Sequence, residues 1–241
     1  MRKYPDDFIG KVIEGDCLSV MREMPDKCVD LIATDPEYGI GYKTSIKKAW
    51  GGRKRKADAK FGDDTGASLE VWAEAYRILK PTGAIYSFMS WDGLGFLASQ
   101  LIMAGFQVPI RIVWDKVNWG SGDLRYFGQQ TEDILFASCG EHELRTEKRE
   151  GNLWQVWRAE MWNQGGHSGH PTEKPRSIME KIIRYSSDPD SIVLDMYSGS
   201  GTTCVAAERL GRRWVGVELS PKYCTMARKR IAAEQAQGKL F

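Results

Sequence analysis

The chain is poor in the residues that build metal centres and disulfide frameworks. It has three histidines, and its five cysteines, Cys17, Cys28, Cys139, Cys204 and Cys224, contain no Cys-x-x-Cys pair. That spacing excludes a zinc ribbon or a disulfide-stapled scaffold, and points to reduced thiols in a cytoplasmic protein. No apolar run approaches the roughly 20 residues of a membrane-spanning helix. Charges interrupt the opening residues where a secretory leader would need an apolar segment. An excess of one charge is missing too, because 34 Lys and Arg stand against 32 Asp and Glu. Such a balance does not mark a polyanion partner by itself, so local clustering has to decide. No internal repeat is present. The expectation is one soluble domain over residues 1–241, long enough to bury a sizeable core.

Short apolar runs supply the strands. Val29–Ala33, Ala84–Phe88, Ile192–Leu194 and Trp214–Val217 carry apolar residues at successive positions, the pattern of strands buried on both faces. Helical stretches alternate with them. Leu69, Trp72, Ala73, Tyr76 and Leu79 form one stripe, and Ile178 to Tyr185 follows Pro175. Thr202 to Leu210 ends at Gly211, and Pro221 to Ile231 opens on a Ser-Pro cap. Strand–helix alternation predicts a doubly wound, mostly parallel α/β sheet. Ile110–Trp114 and Asp133–Ala137 read as a later antiparallel pair at one edge.

Two polar segments stand at the ends of predicted strands. Thr34-Asp35-Pro36-Glu37-Tyr38-Gly39 joins a carboxylate, a fixed bend and an aromatic ring. Near the other end, Asp195-Met196-Tyr197-Ser198-Gly199-Ser200-Gly201-Thr202 makes a strand, a glycine turn and a helix start, where open α/β sheets bind ligands. A dinucleotide fingerprint would want a third glycine at position 204, where this chain has Cys204. A cofactor without a phosphate does not need that close approach. Glu218 closes the next strand, placed to accept hydrogen bonds from ribose hydroxyls.

These two segments, in this order, resemble the DNA amino-methyltransferases, specifically their permuted β group. Further likeness lies in His170-Pro171-Thr172-Glu173-Lys174-Pro175, in Gly15-Asp16-Cys17, and in the stretch from Leu210 to Glu218 with Tyr223, Ala227 and Arg230 beyond it. The resemblance covers residues 10–45, 69–92, 105–116, 131–137 and 170–231. It implies a Rossmann-like methyltransferase fold and S-adenosylmethionine as cofactor. The cofactor site it implies comprises Asp16, Cys17, Asp35, Lys174, Asp195, Tyr197, Ser198, Gly199, Ser200, Gly201, Thr202, Thr203 and Glu218. Lys174 would lie near the cofactor's carboxylate and Asp16 would meet its adenine amino group, although Asp16 is equally a helix N-cap.

Catalysis would rest on Asp35, Pro36 and Tyr38, without a metal. An exocyclic base amine is a poor nucleophile because its lone pair is delocalised into the ring. Acceptors on its two N–H bonds, the Asp35 carboxylate and the Pro36 carbonyl, would pull it toward a reactive geometry, while Tyr38 stacks on a flipped-out base. The aspartate at position 35, where cytosine N4 enzymes commonly carry serine, favours adenine N6. A cytosine-N4 enzyme is one alternative; a catalytically impaired DNA-binding relative is the other, because Glu37 stands in place of the family's second proline.

Two stretches depart from the α/β pattern. Lys43, Lys47, Lys48, Arg53, Lys54, Arg55 and Lys56 crowd the basic loop 43–64, which is either a solvated face or a DNA-phosphate contact beside the base pocket. Residues 115–169 hold four tryptophans, with Trp114 just before them. They are the candidate target-recognition insert, whose aromatics would wedge into the duplex, stack on an unpaired base or form the core of a small subdomain, the last being the expectation for Trp154 and Trp157. The expected partner is double-stranded DNA, in a phage or restriction–modification setting. The resemblance also leaves room for a homodimer.

Overall fold

The computed structural model describes residues 2–36, 67–107, 109–117, 130–145, 155–159 and 173–237. Their strands form a single sheet in the order β1 (Lys11–Glu14), β8 (Arg213–Glu218), β7 (Ile192–Asp195), β2 (Val29–Thr34), β3 (Leu79–Met89), β5 (Thr131–Ser138), β4 (Ile110–Asp115) and β6 (Val156–Arg158). Pairing is parallel throughout except on the two sides of β5. The mostly parallel doubly wound sheet expected from strand–helix alternation is therefore present. Residues 29, 31–34 and 192–195 are buried, as strands covered on both faces require.

Among the described residues, six helices cover the sheet. On one face α1 (Cys17–Arg22), α2 (Leu69–Ile78) and α3 (Leu94–Ala104) pack together over a core that includes Met21, Trp72, Ile78, Ile32 and Leu194. On the other face α4 (Arg176–Ser186), α5 (Thr202–Arg209) and α6 (Pro221–Gln237) enclose Ile182, Ala206, Ala227, Val193 and Leu31. Neighbouring residues of one strand, such as Leu31 and Ile32, thus feed opposite cores. Among the described residues no helix is long and apolar enough to cross a membrane.

Three details differ from the sequence expectation. The buried stripe of α2 is Val71, Trp72, Ala75 and Ile78, whereas Ala73 is exposed. Both stripes have helical spacing, and packing between α1 and α3 selects the phase. The antiparallel pair is not the sheet edge, because β6 adds in parallel to β4, with Trp114 opposite Trp157. Trp157 lies in the main core between Tyr86 and Tyr185, not in a separate subdomain. With β5 and β6 in the sheet, residues 118–129, 146–154 and 160–169, Trp154 among them, and the whole basic loop lie outside the described residues.

The chain path fixes where a ligand crevice opens. From β2 it runs outward to β3, and from β7 it runs the opposite way to β8. The reversal falls between β7 and β2, paired through Leu31 with Val193 and Ile32 with Leu194. Open α/β sheets bind ligands at the carboxyl ends of strands at such a switch point.

Candidate active site

At this switch point the two polar segments meet. Thr34, the last residue of β2, donates from Oγ1 to Asp195 Oδ1 at 3.0 Å, and Asp195 is the last residue of β7. Asp35 and Pro36 thus leave the sheet beside the glycine turn 196–201. Tyr38 and Glu37 lie outside the described residues, as do Lys43, Lys47, Lys48, Arg53, Lys54, Arg55 and Lys56.

The turn is built for close backbone approach. Gly201 has φ +81°, and a Cβ there would lie 2.8 Å from the Ala227 Cβ of α6. A side chain would be strained both by that conformation and by the contact. Cys204 occupies the place of the missing third glycine, and its sulfur packs on Gly216 of β8, where a Cβ would come within 2.8 Å. Closeness of helix and strand is achieved from the strand's side instead. Thr202, Thr203 and Cys204 form the first turn of α5 and are buried. Ser198 Oγ is also buried and lacks a hydrogen-bond partner within the protein.

Glu218 ends β8 as a clamp on two loops. Its Oε2 accepts from the Gly199 N–H at 2.8 Å, and its Oε1 accepts from the Ser220 N–H at 2.8 Å. A carboxylate has about four acceptor positions, so capacity remains for ribose hydroxyls. Asp16 comes to the same lip because β1 pairs with β8, Glu14 opposite Glu218, and the Gly15 N–H reaches the Glu218 carbonyl. Asp16 caps α1, accepting from the Ser19 N–H at 2.9 Å, with Cys17 buried next to it.

Asp195 is a buried carboxyl pushed up to about 7 by loss of solvent, with the Asp35 charge adding to the shift and the Thr34 hydroxyl and Tyr197 N–H opposing it. The folded state therefore binds a proton that the unfolded chain releases near the ordinary aspartate value. Its contribution is full below about pH 4 and is lost as pH rises through 7. In urea titrations, Asp195→Asn should remove this slope. Relative to wild type the variant should gain about 2 kcal/mol between pH 5 and pH 8. A constant difference across that range contradicts the assignment.

Lys174, just before α4, lies among protein groups. Its Nζ is 2.6 Å from Asp35 Oδ2, 2.9 Å from Glu132 Oε1, and 5.2 Å from the centre of the Phe88 ring. Burial alone would depress its pKa, but the two carboxylates outweigh burial and hold it above the ordinary lysine value. The adjacent Glu173 accepts from Arg230 of α6, whose other nitrogen donates to the Ser200 carbonyl at 2.8 Å and to Ser200 Oγ at 2.7 Å. The dipeptide Glu173-Lys174 thereby ties the Asp35 loop to the glycine turn. Glu132 escaped sequence reasoning, since a lone acid before the apolar run Ile134–Ala137 does not reveal which way it points. Arg230 was visible only as part of a family-like stretch.

A family model described as DNA methylase, of the N6/N4 type, matches residues 29–229. The DNA adenine methyltransferase YhdJ of Escherichia coli K12 is 30% identical over 251 residues, covering 91% of this chain and 82% of its own length. The type II methyltransferase M.HinfI of Haemophilus influenzae is 28% identical over 256 residues, with corresponding coverages of 96% and 70%. Among solved structures, the M1.HpyAVI–SAM complex aligns with a TM-score of 0.71 at 27% identity, over 92% of this chain and 98% of that one. The chain belongs to the N6/N4 DNA methylase family, whose methyl donor is S-adenosylmethionine.

Proposed function

We propose that this protein methylates the exocyclic N6 of an adenine turned out of double-stranded DNA. The observation that carries this is the junction at the switch point, where the Thr34–Asp195 hydrogen bond places the Asp35 loop against the glycine turn. The residues present suit the cofactor. Ser198-Gly199-Ser200-Gly201 offers close backbone approach and a buried Ser198 hydroxyl without a partner in the protein, which suits a nucleoside. In this proposal Glu218 holds the ribose and Asp16 the adenine amino group. Cys17 and residues 195–203 form the wall. The bound cofactor supplies an electrophilic methyl on sulfur.

The protein's own task is to hold the target nitrogen. Asp35 and the Pro36 carbonyl accept its N–H bonds, and Tyr38 stacks on the base. The nitrogen's lone pair would then displace the methyl in line, the broken carbon–sulfur bond leaving its electron pair on a neutral thioether sulfur, and the surplus N–H proton would pass to solvent. Lys174 orients Asp35 and stands near the cofactor's methionine end. Residues 43–64 and the parts of 115–169 outside the sheet meet DNA, the first by neutralising phosphate and the second by reading bases. All of this belongs to a single catalytic domain. Adenine is favoured by Asp35 itself and by likeness to a DNA adenine methyltransferase.

Nucleoside analysis of unmethylated plasmid DNA, incubated with the protein and S-adenosylmethionine, tests the choice of base. N6-methyldeoxyadenosine is the expected product. N4-methyldeoxycytidine alone would overturn the adenine assignment, and no methylated nucleoside would overturn the proposed activity.

A further inference from the structure

Four charged side chains of alternating sign run from the end of β4 to the Asp35 loop. Lys116, just after β4, lies 3.1 Å from Glu132 Oε2. Glu132, in β5, reaches Lys174 through its other oxygen at 2.9 Å, and Lys174 reaches Asp35 at 2.6 Å. All four are largely withdrawn from solvent, with side-chain exposures of 17%, 14%, 9% and 22% in that order. Aromatic faces back both cations, Trp114 behind Lys116 and Phe88 behind Lys174.

We infer that Glu132 is a positioning residue for methyl transfer, acting on Asp35 through Lys174. This rests on Asp35 being the acceptor for the target amine. An ammonium buried against one carboxylate directs its donors at that carboxylate and drains its acceptor strength. A second carboxylate across the ammonium divides those donors and fixes where the ammonium sits. Glu132 supplies that second carboxylate, and Lys116 balances it, so the chain of four is neutral overall. Asp35 is thereby held in place without being consumed by its own anchor. Glu132 is well suited to this because the β4–β5 ladder, with Trp114 opposite Glu132, fixes its backbone rigidly.

The test is a set of single-turnover transfer rates on unmethylated plasmid DNA, with cofactor affinity by calorimetry and thermal melting on every variant. Glu132→Gln keeps shape and removes charge. It should slow transfer by about 10²-fold, the cost of misplacing a catalytic group by about an ångström, while cofactor Kd changes less than about threefold. Glu132→Asp, which restores the charge, should recover about tenfold of that loss. In a Lys174→Met background, Glu132→Gln should cause no further slowing, because its route to Asp35 is gone.

Four results would overturn the inference. They are a Glu132→Gln rate within threefold of wild type, cofactor affinity falling in step with rate, a full additive loss on Lys174→Met, or failure of Glu132→Gln to fold. An Asp35→Ala variant run alongside separates the two levels. If Asp35→Ala is inactive and Glu132→Gln is not, the inference alone fails. If Asp35→Ala transfers normally, or wild type transfers nothing, the proposed function fails with it.

Discussion

Asp35→Ala is expected to lower single-turnover methyl transfer by at least about 10³-fold while leaving S-adenosylmethionine affinity within about threefold. The magnitude follows from removing a preorganised group aimed at the reacting nitrogen. The selectivity follows from position, because Asp35 meets the turn through neighbours rather than forming it. Alanine also strands the Lys174 ammonium with Glu132 as its carboxylate, and breaking such a buried pair destabilises proteins by about 3–5 kcal/mol. Asp35→Asn guards against that ambiguity. Its amide oxygen can still accept from Lys174, so the fold should persist, yet a neutral acceptor polarises the amine far less. Both variants should therefore be nearly inactive, with the asparagine form melting close to wild type. Normal transfer by either one contradicts the role given to Asp35.

Glu218→Gln should act on the opposite side of the reaction. Both carboxylate oxygens accept backbone N–H groups, from Gly199 and from Ser220. A glutamine amide has one acceptor oxygen, so its NH2 must face one of those donors. One charge-assisted bond worth about 1.5–3 kcal/mol is lost and a partly buried N–H is left poorly paired. Cofactor affinity should weaken by about 10- to 100-fold, whereas the transfer rate at saturating cofactor should change little. Equal loss in both quantities would place Glu218 in the chemical step and contradict its assignment to the cofactor.

Much of the fold was legible because its central strands are buried on both faces. Ile192 to Leu194 can satisfy two cores only as a sheet interior, and the glycine turn after it makes the helix start unambiguous. The candidate site was legible for a related reason: its residues stand in short polar loops at strand ends, where carboxylates such as Asp35 and Glu218 have no role in packing. Cys204 shows the limit of motif matching, since the close approach missing at that position is supplied by Gly216 from the neighbouring strand.

The remainder depended on packing that local pattern does not encode. Helix α3 presents Phe96 and Met103 to the outside and buries Leu97 and Leu101, so its apolar residues carry no one-sided stripe. Strand β6 is three residues long and exists through pairing with β4. In β3, Leu79 pairs with Val29, yet Ala84 pairs with Leu31, so extra residues around Pro81 loop out of the ladder. Lys174 drew attention only as a family-like cation, and its pairing with Glu132 is a contact between residues 42 positions apart.

The most direct measurement is base-resolution mapping of methylation in DNA from cells expressing the wild-type protein or Asp35→Asn. Methyl groups on adenine N6 within one recurring sequence in the first sample, and their absence from the second, are the expected result. Equal methylation in both samples, or unmodified DNA in both, would contradict a pocket in which the Asp35 loop delivers a base to the cofactor held by the glycine turn.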